Sequence, residues 1–216
     1  MKRSVGIPLF LACLLVVPKA ASGQSTTPRQ EPSSSVPTNI HQLFLDDQAE
    51  RAVGGFAPKY GPDVNSRDAM RRAEAKLLLA AGLLKTAQDF HDAAFIFQHG
   101  RDPDDYLLAH ILATVAILRG DSSSKWLAAA TLDRYLQAIG QKQVFGTQYL
   151  SKSYSYSLQH KIDSTAMRSA GAHEEGDTQD PYDGDLVPDS LRSDFCVPDK
   201  AAQATESGNL PPGCSR

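Results

Sequence analysis

Gly100, Gly120 and Gly140 stand 20 residues apart, and this spacing constrains the fold more than any other feature of the chain. Each interval holds one run of apolar residues at helical spacing and one tight turn. Phe90, Ala93, Ala94 and Phe97 precede Gly100. Leu107, Leu108, Ile111, Leu112, Val115 and Leu118 precede Gly120. Trp126, Leu127, Ala130, Leu132, Tyr135, Leu136 and Ile139 precede Gly140. Apolar residues recurring every three to four positions mark an amphipathic helix, and a glycine just past the last one stops it. The starts are marked too. Thr86 and Asp89 have the spacing of a capping box. Asp102-Pro103 offers a cap followed by proline at the first helical position, and Asp121 to Ser124 offers another cap. Short turns between such helices favour antiparallel packing, so the expected fold is mainly α: helical hairpins in a TPR-like array or an irregular bundle. No TPR consensus is present. Small residues at Ala93, Ala94, Ala109, Ala113, Ala116 and Ala128 to Ala130 would let the helices approach closely.

Two further helices are expected before this array. One starts near Asn39 and carries Leu43, Phe44, Asp47, Gln48 and Arg51. The other runs from Asp68 to Leu84, with Met70, Ala73, Leu77, Ala80, Ala81 and Leu84 as its apolar positions. Gly54, Gly55, Pro58, Gly61 and Pro62 make the loop between them. After Gly140 the pattern changes. Residues 143–150 suggest extended chain or a short hairpin, and Ser153 to Leu158 alternates like a strand around Tyr154 and Tyr156. Residues 170–190 are acidic and loop-like, a short helix is expected from Pro188 to Phe195, and residues 196–216 should be irregular.

The first 23 residues have the order of a secretory signal. Lys2 and Arg3 are followed by a 13-residue apolar run from Val5 to Val17, interrupted by Gly6 and Pro8, then by Ala20, Ala21, Ser22 and Gly23. The run is shorter than the ~20 residues that cross a bilayer as a helix, which favours cleavage before Gln24 over a retained anchor. Cys13 follows Phe10-Leu11-Ala12, loosely like a lipoprotein box, but Phe10 stands where leucine is wanted. Residues 24–38, rich in Ser, Thr, Pro and Gln, read as a disordered linker, and 39–195 as the helical domain. An exported product, periplasmic or extracellular, follows. No later stretch approaches a membrane span.

Cleavage changes the rest of the reading. It removes Lys2, Arg3 and Lys19, leaving 19 Lys+Arg against 25 Asp+Glu, a net charge of −6. That balance argues against nucleic-acid binding, which needs a basic footprint. It also removes Cys13 and leaves Cys196 and Cys214, which an oxidising compartment favours as a disulfide. Such a bridge would contribute about 3 kcal/mol by restricting the unfolded chain.

Several segments share an unusual set of polar residues: Asp47-Gln48-Ala49-Glu50-Arg51, Gln98-His99, Asp133-Arg134, and Gly140 to Gln148 with Gln143, Gly146, Thr147 and Gln148. Over about residues 40–150, and more weakly to about 200, the chain resembles an uncharacterised bacterial domain-of-unknown-function family with DQxxR, QH, DR and GxxQxYGTQ segments. Phe145 stands where that family often has tyrosine. The resemblance implies no particular reaction. Physically, Arg134 has the planar fork to pair with Asp47, and Gln143 and Gln148 can each donate and accept. Three readings are open. Asp47, Gln48, Arg51, Gln98, His99, Asp133, Arg134, Gln143, Thr147 and Gln148 form a satisfied internal network, a pocket for a protein, peptide or small-molecule ligand, or a catalytic centre. In the last, His99 is the acid/base, with Asp47 or Asp133 orienting it, as in a hydrolase-like enzyme. A binding or interaction module is the expected function. His99 near a helix end also suits a simple capping role. The six histidines show no zinc-site spacing. Asp177, Asp180, Asp183 and Asp185 lack EF-hand spacing and read as a solvated loop. Neither a metal nor another cofactor is expected.

Overall fold

A computed structural model describes residues 39–52, 64–151, 177–204 and 211–214, all within one compact unit that begins at Val36. The signal, the linker, the 54–62 loop and the Tyr154/Tyr156 segment lie outside the described residues. The fold is mainly α. In chain order the elements are α1 (Ile40–Ala52), α2 (Val64–Ala80), α3 (Ala87–Gln98), α4 (Pro103–Leu118), α5 (Ser124–Ala138), β1 (Leu150–Ser151), β2 (Asp177–Thr178), α6 (Asp189–Asp194) and α7 (Lys200–Ala204).

The helix boundaries follow local chemistry. At the start of α3, Thr86 Oγ1 accepts from the Asp89 N–H while Asp89 accepts from the Thr86 N–H, a complete capping box. Pro103 opens α4 as expected, but the Asp102 side chain makes no capping hydrogen bond. Before α5, Asp121 accepts from the Ser123 N–H and from the hydroxyls of Ser123 and Ser124.

The three evenly spaced glycines do different things. Gly120 and Gly140 adopt φ of +102° and +74°. Each closes a Schellman turn: Gly120 N–H donates to Ile117 and Asp121 N–H to Ala116, and Gly140 N–H donates to Gln137 and Gln141 N–H to Leu136. Such a left-handed conformation favours glycine. Gly100 is not left-handed. A Cβ there would lie 2.3 Å from Asp105 Cβ, so close packing, rather than backbone conformation, requires glycine. The end of α3 therefore lacks the turn that satisfies the carbonyls of α4 and α5.

α3 packs on α4 and on α1, and α4 on α5. The core between them contains Ile40, Leu43, Leu78, Ile96, Phe97, Leu112 and Leu127. Every alanine singled out from the sequence for close approach, at 93, 94, 109, 113, 116 and 128–130, is fully buried. Small side chains bring the helices close, and close packing maximises dispersion contacts.

The apolar face read for α2 is a correction. Met70 is 64% and Leu77 67% exposed, and Ala73, Ala80 and Ala81 are exposed as well. The face turned inward carries Asp68, Arg71, Ala75 and Leu78. Of the expected set only Leu84, beyond the helix, is buried. The inward stripe is apolar toward its C-terminal end and charged at its N-terminal end, where ion pairs join α2 to α1.

Past α5 the chain is extended. It pairs with residues 177–182 and not with itself in a local hairpin: Leu150 is opposite Thr178, and Gln143 bridges Tyr182. Phe145, Ala129 and Val197 form a second apolar cluster with Trp126 and Phe195 against it. Residues 196–216 are not wholly irregular. Cys196 and Val197 are buried, α7 follows, and Cys196 is bonded to Cys214 with Cα atoms 5.5 Å apart.

Candidate functional site at the end of helix α3

The ten polar residues singled out from the sequence fall into two groups. The first centres on Asp133, fully buried on α5. Its Oδ1 accepts from the backbone N–H groups of Val144 (2.8 Å) and Phe145 (3.0 Å). Its Oδ2 accepts from the N–H (2.9 Å) and hydroxyl (2.7 Å) of Thr147. Gln143, also fully buried, donates through Nε2 to Gln148 O at 2.8 Å and to Gln179 O, and accepts from the Gln148 N–H at 3.0 Å. Gln148 Nε2 donates to Thr147 Oγ1 and to Ala130 O. Gly146 has φ +66°, and a Cβ there would meet Gln179, Gln203 and Tyr182 within 3 Å. This group ties residues 143–148 to α5. Arg192, fully buried on α6, draws in the same segment by donating to the carbonyls of Phe145, Val144, Val187 and Gly184. Phe145 packs against Phe195 with ring centroids 5.0 Å apart.

The second group surrounds the C-terminal end of α3. Asp47 is 1% exposed. It accepts from Arg51 Nη1 at 2.6 Å, from Gln48 Nε2 at 2.8 Å and from the His99 ring, Nδ1 lying 3.1 Å from Oδ2 and 3.2 Å from Oδ1. Arg51 reaches on to Asp68 at 3.0 Å. Arg71 joins Asp68, Glu50 at 3.0 Å, and Asp47 at an ion-pair distance of 3.5 Å without hydrogen-bond geometry. Two further guanidinium groups occupy the last carbonyls of α3: Arg134 Nη1 donates to Gln98 O at 3.2 Å, and Arg72 Nη1 to His99 O at 3.1 Å. Cations at a helix C-terminus complement its partial negative charge. They stand in for the Schellman turn that Gly100 does not make.

Several expectations change here. Arg134 does not pair with Asp47, whose oxygens are taken by Arg51, Gln48 and His99. Asp133 does not orient His99, because all four of its hydrogen bonds go to residues 144–147. His99 occupies the C-cap position, yet its ring bonds Asp47 and arginines do the capping. Arg71, Arg72, Asp68, Glu50 and Arg192 were missed. The i, i+3, i+7 spacing of Asp68, Arg71 and Ala75 on one face of α2 is the signal that would have found the first of these.

The electrostatics divide along the same line. The Arg71 hydrogen bond holds the Glu50 carboxyl below its usual range against the opposing effect of burial. Burial works against the charge on Asp68, but Arg71 and Arg51 outweigh it and its pKa falls too. His99 shifts the other way for a base. Burial pushes its pKa down, Asp47 partly offsets this, and the charges of Arg51 and Arg134 push it down further. The ring is therefore neutral at pH 7. An ionised carboxylate only accepts, so the ring proton sits on Nδ1 and Nε2 carries the lone pair. The His99 side chain is 17% exposed. Burial also lowers the pKa of Arg134. Among the described residues, no carboxylate pairs with Arg134, and its buried Nε has no hydrogen-bond partner.

Among the described residues no group of three or more His, Cys, Asp or Glu is placed to hold a metal ion, and no helix is long and apolar enough to cross a membrane. Comparison with protein families, curated proteins and solved structures finds no match to this chain.

Proposed function

We propose that this is an exported binding module whose recognition site is the His99 end of α3. The observation that carries this reading is the contrast between the two polar groups. The Asp133 group is saturated by the protein's own donors, as a structural lock should be. The His99 group keeps a neutral, partly exposed imidazole, held by Asp47 so that Nε2 is the unengaged nitrogen of that hydrogen bond, beside an arginine that no described carboxylate pairs. Polar groups that converge without saturating one another are what a ligand site requires. The resemblance to the uncharacterised bacterial family and the export signal belong to the same proposal. Mass measurement of the protein recovered from its host should find it beginning at Gln24.

Thermal-shift screening of small molecules and peptides against wild type, His99→Gln and Arg134→Gln tests the site. Ligand responses lost in variants of near wild-type stability are expected. Strong destabilisation with every response retained would assign the group to structure alone.

A hydrolase-like reading rests on the His99–Asp47 hydrogen bond, with Nε2 as general base toward a water molecule. Thr147 is not its nucleophile, because that hydroxyl donates to Asp133. A panel of ester and phosphoester substrates with wild type and His99→Gln decides it: turnover abolished in the variant supports an enzyme, and turnover by neither protein removes the reading.

A further inference from the structure

Apart from the exposed Arg101, the other arginines around the end of α3 each meet a carboxylate. Arg51 meets Asp47 and Asp68, Arg67 meets Glu50, Arg71 meets Glu50 and Asp68, and Arg72 meets Asp105 at 3.1 Å. Among the described residues Arg134 meets none, although the chain as a whole carries more acidic than basic residues. A desolvated guanidinium without a counter-charge is uncommon, because only pairing offsets the cost of removing it from water. Nor is Arg134 free to turn toward one of the neighbouring carboxylates. Its Nη1 is fixed on Gln98 O, and Asp47 is already saturated. What remains is the edge that carries Nε, whose N–H finds no acceptor among the described residues. That edge presents two parallel N–H groups, the geometry that takes both oxygens of a carboxylate or two oxygens of a phosphate. The charges of Arg51 and Arg134 oppose one another and both act on His99, so Arg51 adds positive potential at this end of α3.

We propose that Arg134 is the anchor for an oxyanion, a carboxylate or phosphate group carried by the ligand of the His99 site. The inference rests on the reading of that end of α3 as a binding site and names the chemistry the site selects. The ligand's charge would supply the counter-charge that no described residue provides.

Side-chain NMR of the full mature chain, labelled with 15N, provides the test. Sodium acetate and sodium phosphate are titrated separately, with sodium chloride at matched ionic strength as reference. The expected result is a saturable shift of the Arg134 Nε–Hε signal with acetate, phosphate or both but not with chloride. The tighter of the two identifies the oxyanion. Arg134→Gln should weaken the apparent affinity, followed at the Arg51 Nε–Hε signal, at least about tenfold. Because the Arg134 signal is read in wild type, the result does not depend on that variant folding. An Arg134 signal that moves with neither anion, or moves equally with chloride, overturns the proposal. If uncharged probes still bind in a His99-dependent way, the binding-module reading survives that failure; if none binds, both fall.

Discussion

Replacing Asp133 with asparagine conserves shape and removes a charge whose four hydrogen bonds hold residues 143–148 on α5. The amide has two orientations. With its nitrogen at the Oδ1 position, it faces the N–H groups of Val144 and Phe145, two donors that cannot turn. With its nitrogen at the Oδ2 position, it faces the Thr147 N–H and hydroxyl. The hydroxyl can rotate to accept, so the second orientation wins and one backbone N–H loses its partner. An unpaired, partly buried N–H of this kind costs about 2 kcal/mol. The three surviving bonds fall from charge-assisted to neutral strength, and the easier desolvation of an amide offsets part of that loss, adding about 1 kcal/mol. The expected destabilisation is about 3 kcal/mol. In urea, with a slope of about 2–3 kcal/mol/M, this lowers the midpoint by about 1–1.5 M. The chain has one tryptophan, Trp126, which packs on the cluster of Ala129, Phe145 and Val197. Its fluorescence therefore reports on the region that Asp133 secures. Amide exchange at Val144, Phe145 and Thr147 should accelerate in parallel. A midpoint within about 0.2 M of wild type would refute the assignment of Asp133 as a structural lock, and with it the division of the polar residues into a closed group and an open one.

Other expectations follow from burial, charge and chain connectivity. Leu77→Ser on the exposed face of α2 should change stability by no more than about 0.5 kcal/mol, whereas Leu78→Ala should cost about 2–5 kcal/mol; chemical denaturation of both variants checks which face is inside. His99 has a folded pKa below its unfolded value of 6.5. Well above pH 6.5 both states are neutral at this ring. As pH falls through 6.5 the unfolded chain takes up the proton first, so stability declines until the folded ring is protonated too, with a slope of at most about 1.4 kcal/mol per pH unit. His99→Gln should remove this decline. It should leave the lower-pH loss as Glu50 and Asp68 are protonated, because their stabilisation is complete above their unfolded values of 4.5 and 3.8 and disappears as pH falls through the lower folded ones. Reducing the Cys196–Cys214 bond, which closes an 18-residue separation, should lower the unfolding free energy by about 3 kcal/mol, measured in urea with and without dithiothreitol.

The sequence determined the helices of this protein, because helix starts and stops are local events. Thr86 caps across three residues, and Gly120 and Gly140 relax a backbone conformation that depends only on their neighbours. The alanines that bring α3, α4 and α5 together were legible for a related reason: close approach needs small side chains whatever the partner. The site residues Asp47, His99, Asp133 and Arg134 were visible as polar groups on otherwise apolar helices, but their pairing was not. Pairing depends on which helix ends meet, and that arises from contacts over long separations, such as the 52 residues between Asp47 and His99. Only the tertiary structure could turn the apolar stripe of α2 outward, because ion pairs with α1 orient the helix through Asp68 and Arg71. Only the tertiary structure could distinguish Gly100 from its two counterparts, since its requirement comes from Asp105 and not from its own backbone. That difference leaves the end of α3 to be capped by arginines, among them Arg134, which no described carboxylate pairs.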